Sequence, residues 1–202
     1  MSAWQVGAGA GIASAIVHLL GYGLYLLSVR RGLIQPNATS VALWVFGSAV
    51  SIWVYAQVTQ DWFKLALPIA CAAGLLATLS VGATRKSLVP LDRADIATAI
   101  LDVGIIGVWF FSRDVGLTYA ALIADTAVSF VPIVRSTLTL PSRERATPWL
   151  VWTFAYALML LAAVLRWEGW LPVLLPAVCI LCHLVVAVIA ASPRLLTKAG
   201  RF

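Results

Sequence analysis

Four ionisable side chains lie deep inside long apolar stretches of the chain: His18, Asp102, Asp125 and His183. Such groups are costly near the middle of a bilayer, so they usually face the interior of a helical bundle and mark an ion or substrate path. Burial disfavours a charged aspartate, whereas a neighbouring protonated histidine favours it. Such a set could take up and release a proton, and we predict that Asp125, His18 and Asp102 couple to protons.

The open alternative for these residues is purely structural, because polar side chains also join helices by hydrogen bonds. For Asp125 the functional interpretation is preferred. For Asp102, which shares one helix face with Asp95 and Trp109, docking of its helix is preferred. The histidines stand between the two interpretations, either as partners of the aspartates or as hydrogen-bonded core residues.

Aromatic and hydroxyl side chains recur at helical spacing around these groups. Ser14, His18, Tyr22 and Tyr25 follow steps of four, four and three residues, which places them on one face of a helix. Similar stripes occur in three other apolar stretches, so we predict a polar cavity. Its substrate-binding residues are Tyr22, Tyr25, Trp44, Trp152, Tyr156 and His183. Anchoring at the membrane interface is the alternative for the tryptophans.

The amino-acid composition predicts a membrane protein. With 62% hydrophobic and 11% charged residues and a mean hydropathy of +0.96, the chain is far more apolar than a soluble globule. Its net charge of +6 comes from basic residues placed singly or in pairs at the ends of apolar runs, which indicates topology rather than nucleic-acid binding. We predict an integral protein of a bacterial inner or plasma membrane, with the lipid bilayer as its partner.

Seven stretches are long enough to cross a bilayer as helices. The first, third and fifth connections and the C-terminal tail carry eleven of the Lys and Arg residues, against three elsewhere. This asymmetry predicts an N-terminus outside and a cytoplasmic C-terminus. The stretches are Gly7–Val29, Ser40–Gln57, Lys64–Ala83, Asp95–Ser112, Val115–Ser136, Thr147–Leu165 and Trp170–Ala191.

An internal repeat divides these helices into two sets. Phe130, Arg135 and Pro141 follow Tyr25, Arg30 and Pro36 by 105 residues, and Trp152 follows Trp44 by 108. Two copies can share one orientation only if a single helix separates them, so we predict a 3+1+3 plan with parallel repeats. The predicted units are a triple-helix bundle (1–86), a linker helix (87–113) and a second bundle with the tail (114–202). One undivided seven-helix bundle is the alternative.

Three further features complete the prediction. Pro132 leaves a backbone carbonyl unbonded inside its helix and is predicted to be a hinge. The string Cys179-x-x-Cys182-His183 matches a haem-attachment pattern but lies inside an apolar helix, so no cofactor or metal is expected. Gly7-x-x-x-Gly11 permits close packing, preferably within the bundle, or between copies in a homo-oligomer.

The bundle plan and the segment Phe130-x-Pro132 before Arg135-Ser136 resemble the PQ-loop superfamily, which includes SWEET sugar transporters and cystinosin. The resemblance implies alternating access, and Asp125 is similar in placement to the helix-5 aspartate of proton-coupled members. Ile133 replaces the family's glutamine. PnuC-type vitamin-precursor carriers share the 3+1+3 plan and a pair like Trp149-x-x-Trp152.

We therefore expect a transporter, not an enzyme, that moves a small polar solute such as a sugar, an amino acid or a nucleoside-like molecule. The alternative is a non-transporting scaffold or receptor subunit that binds a protein partner, a lipid or a pigment. The two differ in one respect. A carrier should turn the polar stripes inward around a cavity, whereas a scaffold should pair them and leave none.

Overall fold

The computed structural model describes residues 2–58, 61–112 and 114–199, and nearly all of these are helical. A short 3-10 turn, Pro141–Arg143, precedes the last two helices, and no β-strand occurs in the described ranges. The predicted all-α class is therefore confirmed for them. The α-helices are α1 (Ala3–Arg30), α2 (Ala38–Val58), α3 (Trp62–Thr84), α4 (Arg93–Ser112), α5 (Val115–Ser129), α6 (Val131–Thr139), α7 (Ala146–Leu165) and α8 (Leu171–Ala199).

Within the described ranges, five helical stretches are long and apolar enough to cross a membrane: Ala3–Arg30, Trp62–Thr84, Tyr119–Thr139, Ala146–Leu165 and Leu171–Ser192. The other two predicted crossings, in α2 and α4, include side chains outside the described ones, such as Tyr55 and Trp109.

Apolar and polar side chains are distributed as in a protein surrounded by lipid. Large apolar side chains on the outer helix faces are exposed, among them Leu20, Phe154 and Leu181. Ser14 and Asp125, by contrast, are buried. Water would disfavour such an arrangement and hydrocarbon favours it, so we describe the chain as membrane-embedded.

In chain order the described helices form a first group, α1 to α3, and a second group, α4 to α8. Within the first group, α1 and α2 both pack against α3, and within the second, α5, α6 and α7 pack against α8 while α4 lies against α5. The most extensive contact of all, α1 with α7, joins the two groups, and α2 also contacts α5. The candidate site lies at this boundary between the groups.

Three loops meet at one end of the molecule, which we call the basic end: residues 31–37, 85–92 and 140–145. The Val89 N–H donates to the Pro36 carbonyl at 2.8 Å, and the Gln35 N–H donates to the Arg143 carbonyl at 2.9 Å. These are the three connections whose Lys and Arg residues predict a common side. At the opposite end, the Arg166 guanidinium reaches the Trp4 carbonyl at 2.9 Å and joins the N-terminus to the loop after α7.

The predicted crossing Val115–Ser136 corresponds to α5 and α6, which contain one candidate membrane span, Tyr119–Thr139, with a one-residue break at Phe130. Pro132 has no N–H to continue the ladder. The next bond of the ladder is opened by a side chain from α2: the Ile133 N–H donates to Ser40 Oγ and the Ser40 hydroxyl donates to the Ser129 carbonyl, both at 3.1 Å. Insertion of a side chain into a helix ladder is a known cause of kinks. The break lies where the hinge is predicted, and motion about Pro132 stays a prediction.

Candidate functional site

A cavity lies between the two helix groups and is lined by side chains from α1, α2, α3, α5, α7 and α8. The cavity has a volume of about 100 Å³ and is partly open to the exterior. It is smaller than the sites of about 300–1,000 Å³ that typically hold drug-sized molecules, so in this conformation it fits only a small ligand. Its wall includes eight of the predicted site residues: His18, Tyr22, Tyr25, Trp44, Asp125, Trp152, Tyr156 and His183. Their functional roles stay predictions.

Rings from both groups form an aromatic cluster around the two histidines. The His183 ring centre lies 4.9 Å from that of Phe130 and 5.0 Å from that of Tyr156. The His18 ring centre lies 5.3 Å from Tyr156 and 5.2 Å from Tyr22. His18 and His183, 165 positions apart in the chain, thus lie in the same aromatic cluster, because the helix faces that carry them are turned towards each other.

Two glycines make this close aromatic packing possible. A Cβ atom at Gly21 would lie 2.4 Å from Nε1 of Trp152, and one at Gly74 would lie 2.0 Å from the Tyr22 ring. The Trp152 indole N–H donates to the His18 carbonyl at 3.1 Å, which fixes the ring across the boundary between α1 and α7. Trp44, Trp149 and Trp152 therefore line the cavity in this structure and are not anchors at an outer surface.

Asp125 and Asp102 form a buried carboxylate pair. Asp125 on α5 lines the cavity, and Asp102 on α4 lies behind it as its electrostatic neighbour. Their exposed fractions are 2% and 0%. Both Asp102 oxygens and Oδ1 of Asp125 have no hydrogen-bond partner in the part of the chain that the structure describes. Two like charges so close in a site shielded from water disfavour each other, so the pair is suited to share one proton.

The histidines do not pair with the aspartates among the described residues. His183 Nδ1 donates to the Cys179 carbonyl at 2.7 Å, which leaves Nε2 of the neutral ring as a hydrogen-bond acceptor. Neither ring nitrogen of His18 has a partner there, although this ring is 1% exposed. Asp125 therefore has Asp102, and neither histidine, as its charged neighbour among the described residues, and the docking role preferred for Asp102 stays a prediction.

Glu144 closes the basic end of the site, and sequence reasoning missed it. Tyr25 Oη donates to one of its oxygens at 3.0 Å and Trp149 Nε1 donates to the other at 2.9 Å. Burial raises the pKa of Glu144 to about 8, although both hydrogen bonds act to lower it. The available signal was a lone acid between Arg143 and Arg145 in a turn that otherwise carries only positive charge.

A second polar network closes the opposite end, also missed. Arg166 and Asp61 form a buried ion pair, and the Arg166 guanidinium lies 3.8 Å from the centre of the Trp4 ring. Lys64, whose side chain is fully buried, donates to Glu168 at 2.7 Å and to the Arg166 carbonyl at 2.6 Å. The sequence did carry a signal for this network. At the end that is predicted to be poor in positive charge, acidic and basic residues alternate.

The predicted small-residue pair packs inside the molecule. A Cβ atom at Gly7 would lie 2.6 Å from the Arg166 side chain, and one at Gly11 would lie 2.6 Å from the Phe63 carbonyl. The described residues thus use Gly7 and Gly11 to bring α1 close to the second network, as the preferred interpretation predicts.

Comparison of the chain with family models, with curated proteins and with solved structures found no match. The resemblance to the PQ-loop superfamily therefore stays a prediction, and the function proposed below is inferred from the geometry of the site.

Proposed function

We propose that the protein is a membrane transporter that moves a small polar solute by alternating access between two three-helix bundles. The observation that carries this proposal is the cavity at the boundary between the two helix groups. Its wall combines the buried carboxylate of Asp125 with the aromatic stripes of α1 and α7. A site near the middle of the bilayer, at the junction of two repeats, is where carriers hold their substrates.

The packing of the helices supports the proposed 3+1+3 plan. In the first group α3 is the central helix, with α1 and α2 against it, and in the second α8 is central, with α5–α6 and α7 against it. The contacts between the groups, α1 with α7 and α2 with α5, are the two that a pseudo-two-fold axis would exchange. In this plan α4 is the linker between bundles 1–86 and 114–202.

The proposed orientation places the basic end in the cytoplasm and the N-terminus outside. Support comes from the Lys and Arg asymmetry together with the meeting of the three basic loops at one end. Glu144 then belongs to the inner closure, and Arg166 with Asp61 belongs to the outer closure. Transport would break these two closures in turn, with the helix break at Ser40 and Pro132 as the hinge.

Proton coupling through Asp125 is part of the proposal. The pair with Asp102 can hold one proton in a site shielded from water, and its charge would change when the cavity opens to a different pH. Supporting this role, no N–H or O–H group in the described ranges donates to Oδ1 of Asp125 or to either oxygen of Asp102, so only a proton held between the two carboxylates can satisfy them.

The scaffold or receptor alternative predicts polar stripes that satisfy each other without a cavity. The cavity wall and the unpartnered nitrogens of His18, within the described residues, favour the transporter instead.

The proposed function is tested with purified protein in proteoliposomes. A proton gradient directed outwards, with the vesicle interior acidic, is imposed, and a trapped dye reports the internal pH. Sugars, amino acids, amines and nucleosides are then added in turn. We expect at least one solute to collapse the gradient in the wild type and not in Asp125→Asn. Asp92→Asn, in an exposed loop, is the matched control and should behave as the wild type. No solute-dependent flux, or equal flux with Asp125→Asn, would contradict the proton-coupled carrier.

A further inference from the structure

We infer that the cavity selects a small organic cation, and that this cation exchanges with the proton shared by Asp102 and Asp125. The inference rests on the proposed function and names its class of solute. Three independent properties of the cavity wall lead to it: its charge, its hydrogen-bonding groups and its aromatic rings.

The charge of the wall is acidic. Asp125 lines the cavity with Asp102 behind it, and neither lysine nor arginine is among the described residues of the wall. Two basic side chains close to wall residues in the chain are used elsewhere: Lys64 bonds to Glu168, and Arg135 bonds to Asp92 at 3.1 Å. A carboxylate, phosphate or sulfate entering this cavity would lose its hydration without meeting a cation, which carries a large free-energy cost.

Three of the hydroxyl groups in the wall present acceptors rather than donors. Each already donates its hydrogen to a carbonyl of its own helix at 2.8 to 2.9 Å and so offers mainly oxygen lone pairs, one of which, on Ser129, accepts from Trp44. A neutral polyol needs donors as well as acceptors, so the wall fits it less well than a donor or a cation. The hydroxyls are those of Thr78, Thr126 and Ser129.

The indole donors of the wall are also occupied. Trp44 donates to Ser129 Oγ at 3.0 Å, and the other two indoles donate to Glu144 and to the His18 carbonyl. His183 uses its Nδ1 hydrogen on the Cys179 carbonyl. Among the other donors of the wall, the Tyr25 hydroxyl donates to Glu144 and the Ser48 hydroxyl to Cys71, and the acceptors that remain include the Asp125 carboxylate.

The aromatic rings supply the third property. The faces of tryptophan and tyrosine rings carry negative charge density, and groups of such rings bind quaternary and other organic ammonium ions. Here Trp44, Trp149, Trp152, Tyr22 and Tyr156 surround the cavity, with a carboxylate at its α5 side. The ring faces and the Asp125 carboxylate would attract a cation in this cavity and so offset the loss of its hydration.

The exchange with the proton follows from the charge balance of the pair. In the cation-free cavity the two carboxylates hold one proton, and an entering cation takes the place of that proton, which leaves as the cation binds. Asp102 from α4 is the titratable group that acts on Asp125, and the cavity wall also carries His18 and His183, two thiols and three tyrosines. On α6, Arg135 bonds to Asp92, and α2 adds no titratable side chain to the described wall. One site would thus serve proton and solute alternately.

The test measures binding to the full chain in lipid nanodiscs by thermal shift and calorimetry. The probes are choline, tetramethylammonium and N-methylpyridinium, with the neutral carbon analogue of choline and with acetate as comparisons. We expect at least one cation to bind, the neutral analogue to bind about tenfold more weakly or worse, and acetate not to bind. In weak buffer, binding should release a proton and should tighten as pH rises.

Variants make the result specific to the proposed groups. Asp125→Asn and Trp152→Leu should each weaken cation binding by about tenfold, the first also abolishing proton release, whereas Asp92→Asn should leave both unchanged. Circular dichroism and the elution profile identify a variant that fails to fold. If Asp125→Asn fails to fold, Asp102→Asn replaces it and should likewise weaken cation binding and abolish proton release. Failure of all three cations, equal binding of the neutral analogue, or unchanged binding in the aspartate variants would overturn the inference.

The outcomes also separate the inference from the proposed function. A neutral solute that is transported in the pH-gradient assay without cation binding would overturn the inference and keep the carrier. A cation that binds with proton release but never crosses the proteoliposome membrane would keep the inference and contradict the carrier.

Discussion

At the scale of residues, the site depends on pairs that face each other across helix boundaries. The stripe residues of α1 could be predicted, because helical spacing alone sets which side chains share a face. The contact between Asp102 and Asp125 could not, since composition does not fix how α4 is rotated about its axis. Glu144 was missed for a related reason: its two partners, Tyr25 and Trp149, lie on different helices.

The fit of Trp152 against Gly21 gives a first prediction. Gly21→Ala places a Cβ atom where the indole lies, so we expect the free energy of unfolding to fall by about 1–3 kcal/mol, as for other overpacked cores. Gly23→Ala is the matched control on the same helix, because a Cβ atom there meets nothing within 4 Å. It should be neutral or slightly stabilising, by up to about 1 kcal/mol.

Urea unfolding of both variants in one detergent, followed by tryptophan fluorescence, measures the difference. Equal stabilities of Gly21→Ala and Gly23→Ala would show that the ring does not lie against α1.

Glu144 gives a prediction of pH dependence. Its pKa rises from an ordinary value of 4.5 to about 8 on folding, so the folded chain holds this proton more tightly than the unfolded chain does. The resulting stability is fully present below pH 4.5 and is lost as pH rises through 8. We expect the melting temperature to decline between about pH 5 and pH 9, with a weaker decline in Glu144→Gln.

Thermal unfolding across this pH range checks the sign of the effect. Asp92→Asn is the control, since hydrogen bonds from the Asp95 backbone and from Arg135 hold the Asp92 pKa below its usual range and its titration lies at more acidic pH. A slope in Glu144→Gln equal to that of the wild type would assign the pH effect to other groups.

At the scale of elements, the helical type and the approximate position of each run followed from the sequence, because each apolar run is long and lacks strand periodicity. Some helix ends did not: the last helix extends to Ala199, eight residues beyond the predicted Ala191. The position of the break in the fifth predicted crossing also followed from Pro132. What the sequence did not reveal is the role of Ser40, which lies 93 residues away from Ile133 and joins it only in the folded chain. Pro132 thus removes one backbone hydrogen bond of the helix, and the hydroxyl of the distant Ser40 replaces the next one.

Ser40→Ala tests how this break is held. The substitution removes the hydroxyl between the Ile133 N–H and the Ser129 carbonyl, so either these groups lose a partner or the ladder closes on itself. We expect a loss of about 1–3 kcal/mol, the usual cost of unpaired buried polar groups. Ser28→Ala should change stability little, because that exposed hydroxyl bonds only to a carbonyl of its own helix.

The comparison uses unfolding free energies, with amide exchange at Ile133 as a local readout. Faster exchange there in Ser40→Ala, and not in Ser28→Ala, is expected. Unchanged exchange together with unchanged stability would mean that Ser40 does not hold the break.

At the scale of the whole molecule, two polar networks bracket one cavity. The network at Glu144, at the basic end, and the network at Arg166, at the opposite end, are built from different residue types, and each joins α1 to a loop beside α7. The repeat and the charge asymmetry predict a two-bundle plan and a common side for the basic loops. They do not predict the buried charges of the outer end, since counting lysine and arginine ignores the acids that pair with them.

Asp61→Asn tests the outer closure. Removing one charge of a buried ion pair costs about 3–5 kcal/mol, whereas removing one from an exposed pair such as Arg135 with Asp92 costs about 0–1 kcal/mol. We therefore expect Asp61→Asn to weaken the outer closure, and Asp61→Asn combined with Arg166→Gln to recover part of the loss. Unfolding of the two variants beside Asp92→Asn measures this, and a loss no larger than that of Asp92→Asn would contradict it.

Alternating access to the cavity is the central claim, and the half-buried thiol of Cys71 in the cavity wall tests it without knowledge of the solute. In a variant with Cys179→Ser and Cys182→Ser, a membrane-impermeant maleimide is applied to either side of sealed vesicles. The account predicts labelling of Cys71 from both sides, with Asp61→Asn shifting reactivity towards the side of the N-terminus. Labelling from one side only, or from neither while the denatured chain labels fully, would contradict it.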